Sequence, residues 1–132
     1  MRIYLASFMQ PTNFGPGRVI SITHGSKPRD IDVKAIFEPL TPPQTVIEEY
    51  NRLRVEEPKK ASDYFVSTYK AQLEAFFEEI SLSSKEENVS MTDLLPFQDG
   101  DTLCSWERSF NTNYRDLLAP VLEKIGYEVV LN

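Results

Sequence analysis

The chain has 132 residues, enough for one hydrophobic core and too few for two ordinary domains, so a single domain spanning residues 1–132 is expected. Hydrophobic residues make up 41% and charged residues 26%, a globular balance, while the formal net charge of −6 argues against stable binding to nucleic acid or an anionic membrane, which need a basic surface. Cys104 is the only cysteine and His24 the only histidine, which excludes an intrachain disulfide and a Cys/His zinc centre.

A small anionic ligand stays compatible with this charge, because it needs only a local cluster of Arg and Lys. Nothing in the sequence calls for a cofactor or a metal. No stretch has the length of a signal peptide or of a membrane span, and the expectation is a soluble, cytoplasmic protein.

In chain order, Ile3-Tyr4-Leu5-Ala6-Ser7-Phe8 is a first strand that ends before Pro11. The segment Pro11–Arg18 packs two glycines, two prolines and an asparagine into a loop. Such a loop is either an ordinary tight turn, the commoner outcome, or a nest of backbone N–H groups for a phosphate. Arg18–Thr23 reads as the second strand. The loop after it gathers His24, Ser26, Lys27 and Arg29, with Lys27 and Arg29 as candidate anion binders and His24 as a solvated side chain rather than an acid or base. Asp30–Pro43 is poor in helix signals. Thr41 marks a helix N-cap region, with Pro42 and Pro43 in the first turn and Val46, Ile47, Tyr50 and Leu53 at helical spacing through about Val55. A break is expected across Glu56–Lys60.

Ser62–Phe65 opens a longer helix whose Phe65, Tyr69, Leu73, Phe76, Phe77 and Ile80 form a core stripe. Ser81–Met91 reads as a loop or frayed helix end, and Thr92–Pro96 as a short helical turn. Thr102–Trp106 is the next strand. Asn111 or Thr112 can cap the following helix, which carries Arg115 in its first turn and stops at Gly126; Pro120 predicts a kink, or a helix start at Ala119-Pro120. Tyr127–Leu131 is the last strand. A closing strand, helix and strand imply parallel strands. The fold class is α/β, a small single domain with a mostly parallel sheet flanked by helices.

Several short motifs recur in one course along the chain: Ala6-Ser7-Phe8, Ile20-Ser21-Ile22 with Pro28, Pro39-Leu40-Thr41-Pro42, Leu103-Cys104-Ser105-Trp106-Glu107, and Arg115–Ala119 with Gly126-Tyr127-Glu128-Val129. In this the chain resembles a domain-of-unknown-function family whose members close with a Cys-Tyr-Glu strand end and a Cys-His-Arg helix start. Where that family has Cys-His-Arg, this chain has Asn113-Tyr114-Arg115, so the thiol and imidazole are replaced and the arginine is kept. Cys104, within an apolar strand, reads as a small buried hydrophobe rather than a nucleophile.

In size, acidic character and its combination of aromatics with arginines, the chain also resembles the small phage proteins that defeat Thoeris defence by sequestering a cyclic ADP-ribose signal. That resemblance implies a non-catalytic sponge, a homo-oligomer with a hexamer as one form, working in the host cell cytoplasm. A ligand of adenine, ribose and pyrophosphate needs a stacking ring and guanidinium forks. Trp106, Phe110 and Tyr114 are the candidate stacking residues, with Asn113 beside them. Arg108 and Arg115 are the candidate phosphate contacts, joined by Arg18, Lys27 or Arg29. The alternatives are an enzyme of the Cys-His-Arg family acting on a nucleotide or nucleic acid, with Glu107 as general base and Arg115 as anion clamp, although the same two residues commonly form a plain salt bridge, and a protein-binding module using the acidic helices.

Overall fold

Short runs rich in Ile, Val and Leu form five strands: β1 (Arg2–Ser7), β2 (Val19–Ser21), β3 (Val33–Ile36), β4 (Thr102–Ser105) and β5 (Glu128–Leu131). The computed structural model describes residues 1–9, 14–24, 29–106 and 114–131, the side chains of Tyr114 and Arg115 excepted. The strands pair in the order β3-β2-β4-β1-β5, and every pair is parallel. β4 lies between β1 and β2, with Leu5 opposite Leu103 on one side and Ile20 opposite Leu103 on the other. The closing strand, helix and strand are parallel as expected, with β1 inserted between β4 and β5.

Side chains alternate across the pleat, so each strand feeds two faces. Ile3, Leu5, Ile20 and Leu103 join a core with Phe65, Tyr69, Leu73, Phe77, Leu118 and Leu122 from the helices. Cys104 faces the other way, into a smaller cluster with Phe8 and Ile31, edged by Phe14, Val19, Val33 and Trp106. Right-handed crossovers between parallel strands require connections that run in opposite directions along a sheet to lie on opposite faces. The chain steps one way from β1 to β2 to β3 and the other way from β3 to β4 to β5. Accordingly Phe8, Phe14 and Ile31, from the first two connections, cover one face, while the helices of the last two cover the other.

The helices are α1 (Gln44–Glu56), α2 (Pro58–Glu87) and α3 (Tyr114–Ile125). Several expectations need correction. The stretch that lacks helix signals contains β3, an edge strand whose exposed Lys34, Ala35 and Ile36 hide its period. Thr41 does not cap α1: Pro43 precedes its first turn, and the Thr41 hydroxyl donates to the Phe37 carbonyl oxygen at 2.8 Å. The break near Glu57 is a single residue, because Pro58 suits the first helical position, where its missing N–H costs nothing. The polar run after Ile80 stays helical until Asn88, which adopts the left-handed conformation (φ 55°) and ends α2. Within α2 the buried stripe is Phe65, Tyr69, Leu73 and Phe77, with Phe76 and Ile80 half-buried beside it. α1 leans on α2 through Tyr50 and Phe65, whose rings are 5.4 Å apart. α3 contains Pro120 in its interior, so its start is Tyr114 and not Ala119. Gly126, at φ 122°, ends it.

At the amino edge of the sheet Asp101 precedes β4, and it is 1% exposed. Its Oδ1 accepts from the Arg18 backbone N–H (3.1 Å) and Nε (3.2 Å), and its Oδ2 from Arg18 Nη2 (2.6 Å) and the Gln98 N–H (2.8 Å). Arg18 Nη2 also donates to the Pro96 carbonyl oxygen at 2.9 Å. Burial opposes ionisation of Asp101, but the Arg18 guanidinium and the two backbone N–H groups outweigh it and hold the carboxyl below its ordinary value.

Two outcomes are expected. Phe77→Ala should cost about 3–5 kcal/mol in urea unfolding by emptying a core site, and the half-buried Phe76→Ala should cost less. Asp101→Asn should cost about 3 kcal/mol, the low end for breaking a buried pair, because Arg18 is partly exposed and can be rehydrated. Since the folded carboxyl is depressed, its contribution is complete above the unfolded value near ~4 and is lost as pH falls through the folded one. Acid unfolding monitored by circular dichroism should lose this limb in the Asn variant.

Candidate functional site

In an open parallel sheet, ligands bind outside the carboxyl ends of strands where neighbouring connections leave toward opposite faces. β4 is such a strand. Its own connection leads to α3 on the helix face, while β1 and β2 on either side send theirs to the opposite face. The carboxyl ends are stitched together by Phe8 N–H to the Ser105 oxygen (3.0 Å), Ile22 N–H to the Cys104 oxygen (2.9 Å) and Phe37 N–H to the Ser21 oxygen (2.8 Å).

β1, β2 and β4 each end in a buried serine: Ser7, Ser21 and Ser105. Ser7 and Ser105 are opposite one another in register and continue the face of Leu5 and Leu103, the face on which α3 packs. The Ser7 hydroxyl oxygen accepts the Met9 N–H at 3.1 Å. That of Ser21 accepts the Thr23 N–H at 3.2 Å and donates to the Thr23 oxygen at 2.9 Å, closing a local turn. The Ser105 hydroxyl takes no hydrogen bond among the described residues. These three small side chains stand at adjacent strand ends and supply hydroxyls that can both donate and accept. Sequence reasoning passed over this row, although each of the three strands visibly closes on Ser.

Trp106 follows β4 directly and is half-buried, its ring 5.3 Å from Phe8 and tilted by 45°. An indole held on one side by a second ring is a rigid platform for stacking. Tyr114 and Arg115 begin α3, where unpaired N–H groups and the helix dipole favour an anion. Arg108, Phe110, Asn113, Lys27 and the alternative base Glu107 lie outside the described residues. Arg29 is exposed between β2 and β3, with no hydrogen bond or ion pair among the described residues.

Arg18 belongs elsewhere. It precedes β2 at the amino edge, and the five residues from Asp101 to Trp106 put roughly 16 Å between that edge and the indole. Its guanidinium is committed to Asp101 and Pro96. The described part of the preceding Gly-rich loop is not a phosphate nest either. The N–H groups of Gly15, Gly17 and Arg18 donate to Thr102 Oγ1, the Gly100 oxygen and Asp101 Oδ1. A Cβ on Gly15 would lie 2.3 Å from the Tyr4 ring, and one on Gly17 would lie 2.7 Å from the Gly100 carbonyl carbon. Glycine is therefore needed here for close packing rather than for a ligand.

His24, read as solvated, has its Nε2 3.7 Å from Glu38 Oε2. Cys104 is fully buried on the opposite face from Ser105. Among the described residues no helix is long and apolar enough to cross a membrane, and no three metal-ligating side chains converge. Since Cys104 lies under Phe8 and Trp106, a water-soluble thiol reagent should modify it only at the rate of unfolding. Modification of native protein within seconds, followed by absorbance, would contradict that placement.

Compared with protein-family models, curated proteins and solved structures, the chain matches none, so the crevice at the end of β4 carries the functional reading.

Proposed function

We propose that this protein binds a small anionic, nucleotide-derived ligand at the carboxyl edge of β4 and holds it without turning it over. The observation that carries the reading is the position of β4, whose carboxyl end lies between connections that leave toward opposite faces. Trp106 backed by Phe8 offers a base a stacking surface, Ser7 and Ser105 offer hydroxyls to a ribose, and the first turn of α3 offers N–H groups to a phosphate. Arg115 joins that turn as the phosphate fork. The buried Cys104 is withdrawn from nucleophilic chemistry, which favours binding over turnover.

The ligand class that fits base, ribose and phosphate together is a cyclic ADP-ribose type signal, and the role is that of a homo-oligomeric sponge that lowers its free concentration. An enzyme acting on the same class is the second reading, favoured by the His24–Glu38 pair beyond the ends of β2 and β3, a carboxylate within reach of an imidazole.

Heating the purified protein and analysing released small molecules by mass spectrometry separates the two. An intact cyclic nucleotide supports sequestration, and a converted product supports the enzyme. In titration calorimetry with cyclic ADP-ribose, Arg115→Ala should weaken binding by about 1.5–3 kcal/mol, the range for hydrogen bonds to charged groups. Unchanged affinity in a folded variant would remove Arg115 from the site.

A further inference from the structure

Away from the crevice, α2 and the 3₁₀ turn Glu38–Leu40 enclose an open groove of about 480 Å³. Its apolar surface comes from Ala75, Phe76 and Leu82, and its polar rim from Gln72, Glu78 and Glu79. We propose that this groove is a docking surface for a basic amphipathic helix.

Leu82 is 55% exposed and lines the groove together with the half-buried Phe76, so the two present one apolar surface. Phe76 is half-buried and braced edge-on by Phe37 at 5.9 Å and Phe77 at 5.1 Å, so its free side is a rigid surface. The Gln72 amide nitrogen is held by the Pro39 and Thr41 oxygens, at 3.0 and 2.9 Å, which fixes the groove wall and fixes the amide oxygen as an acceptor. An open groove of this size takes one or two bulky side chains from a helix face, as an i, i+4 pair provides.

The charge selects the partner. On α1 and at the start of α2 several acidic residues are neutralised locally: Arg52 pairs with Glu49 and Glu56, and Lys60 with Glu57. Between Lys70 and Lys85, α2 carries Glu74, Glu78 and Glu79 and no cation. Glu78 and Glu79 have no ion pair among the described residues. Glu74 and Glu78 stand one turn apart, a like-charge spacing that costs helix stability and is relieved by a cationic partner. A second copy of this chain, with its net charge of −6, would bring more of the same charge to the rim.

The test uses a fluorescein-labelled synthetic helix of leucine and lysine, read by fluorescence anisotropy, with a leucine and glutamate helix as the control. Saturable one-to-one binding of the basic helix alone is expected. Leu82→Asp makes the surface more acidic but removes the apolar contact, and should weaken binding at least tenfold. Glu78→Gln with Glu79→Gln should weaken it at least fivefold and flatten its salt dependence, while the remote Glu123→Gln should leave it unchanged. Absence of saturable binding, unchanged or tighter binding by Leu82→Asp, or an equal loss with Glu123→Gln would each overturn the proposal. So would sedimentation showing a dimer that Leu82→Asp dissociates, which would assign the groove to a second copy.

Discussion

The carboxylate of Asp101 is shielded from water and must find all its partners within the protein, and the amino edge of the sheet is arranged around that demand. Each of its oxygens accepts two N–H groups, drawn from Arg18 and Gln98, so the residue before β4 is tied to the residue before β2. Tyr4 N–H to the Asp101 oxygen, at 2.9 Å, ties in β1 as well. The buried charge thus joins the starts of β2 and β4, and the main-chain carbonyl of the same residue joins β1 to β4. In the register of β1 and β4, Ser7 and Ser105 stand side by side at the other edge. An unpaired charge at this position would be far costlier than an apolar residue, so the arrangement specifies alignment as much as it stabilises.

A second constraint is the handedness of parallel crossovers. The connections from β1 to β2 and from β2 to β3 bring Phe8, Phe14 and Ile31 to one face, whereas the other two contain the three described α-helices. One face accordingly carries the main core, and the other the smaller cluster of Phe8, Ile31 and Cys104. β4 is where the two regimes meet. Its carboxyl end lies between connections that depart toward different faces, and three small serines stand in a row there.

How much of this was legible in the sequence depended on whether the signal was local. β4 and α3 could be read directly, one from a short apolar run and the other from apolar residues at helical spacing, and the interior position of β4 followed from its apolarity; the turn expected between them lies outside the described residues. β3 could not, because Val33–Ile36 at an edge is mostly exposed and shows neither alternation nor an apolar run. The length of α2 was hidden at both ends: Pro58 looks like a breaker but suits a first turn, and the polar residues after Ile80 are helical without facing a core. Arg18 shows the limit most clearly. Beside a Gly-rich loop it resembled an anion binder, but only the order and direction of the strands reveal that it lies at the edge opposite Trp106. The acid that claims it is 83 residues away. Trp106 was placed correctly at a strand end, and its bracing by Phe8 is again a contact that no local pattern encodes.

The position of β1 bears on how the chain comes to be folded during synthesis. Its two neighbours are β4 and β5, reached through Tyr4 with Thr102 and Arg2 with Glu128, so both of its hydrogen-bonding edges wait for residues made about a hundred positions later. At ribosomal rates of about 5–20 residues per second, that interval is on the order of 5–20 seconds. Throughout it, Ile3, Leu5 and Ala6 form an apolar segment with unpaired backbone, the kind of segment that invites association with other chains. α1 and α2 complete a local hairpin in the meantime, giving the nascent chain an early structured piece on which the late strands can assemble. Folding of the sheet is thus a late event, set by the emergence of its most distant partner rather than by the strength of its first strand.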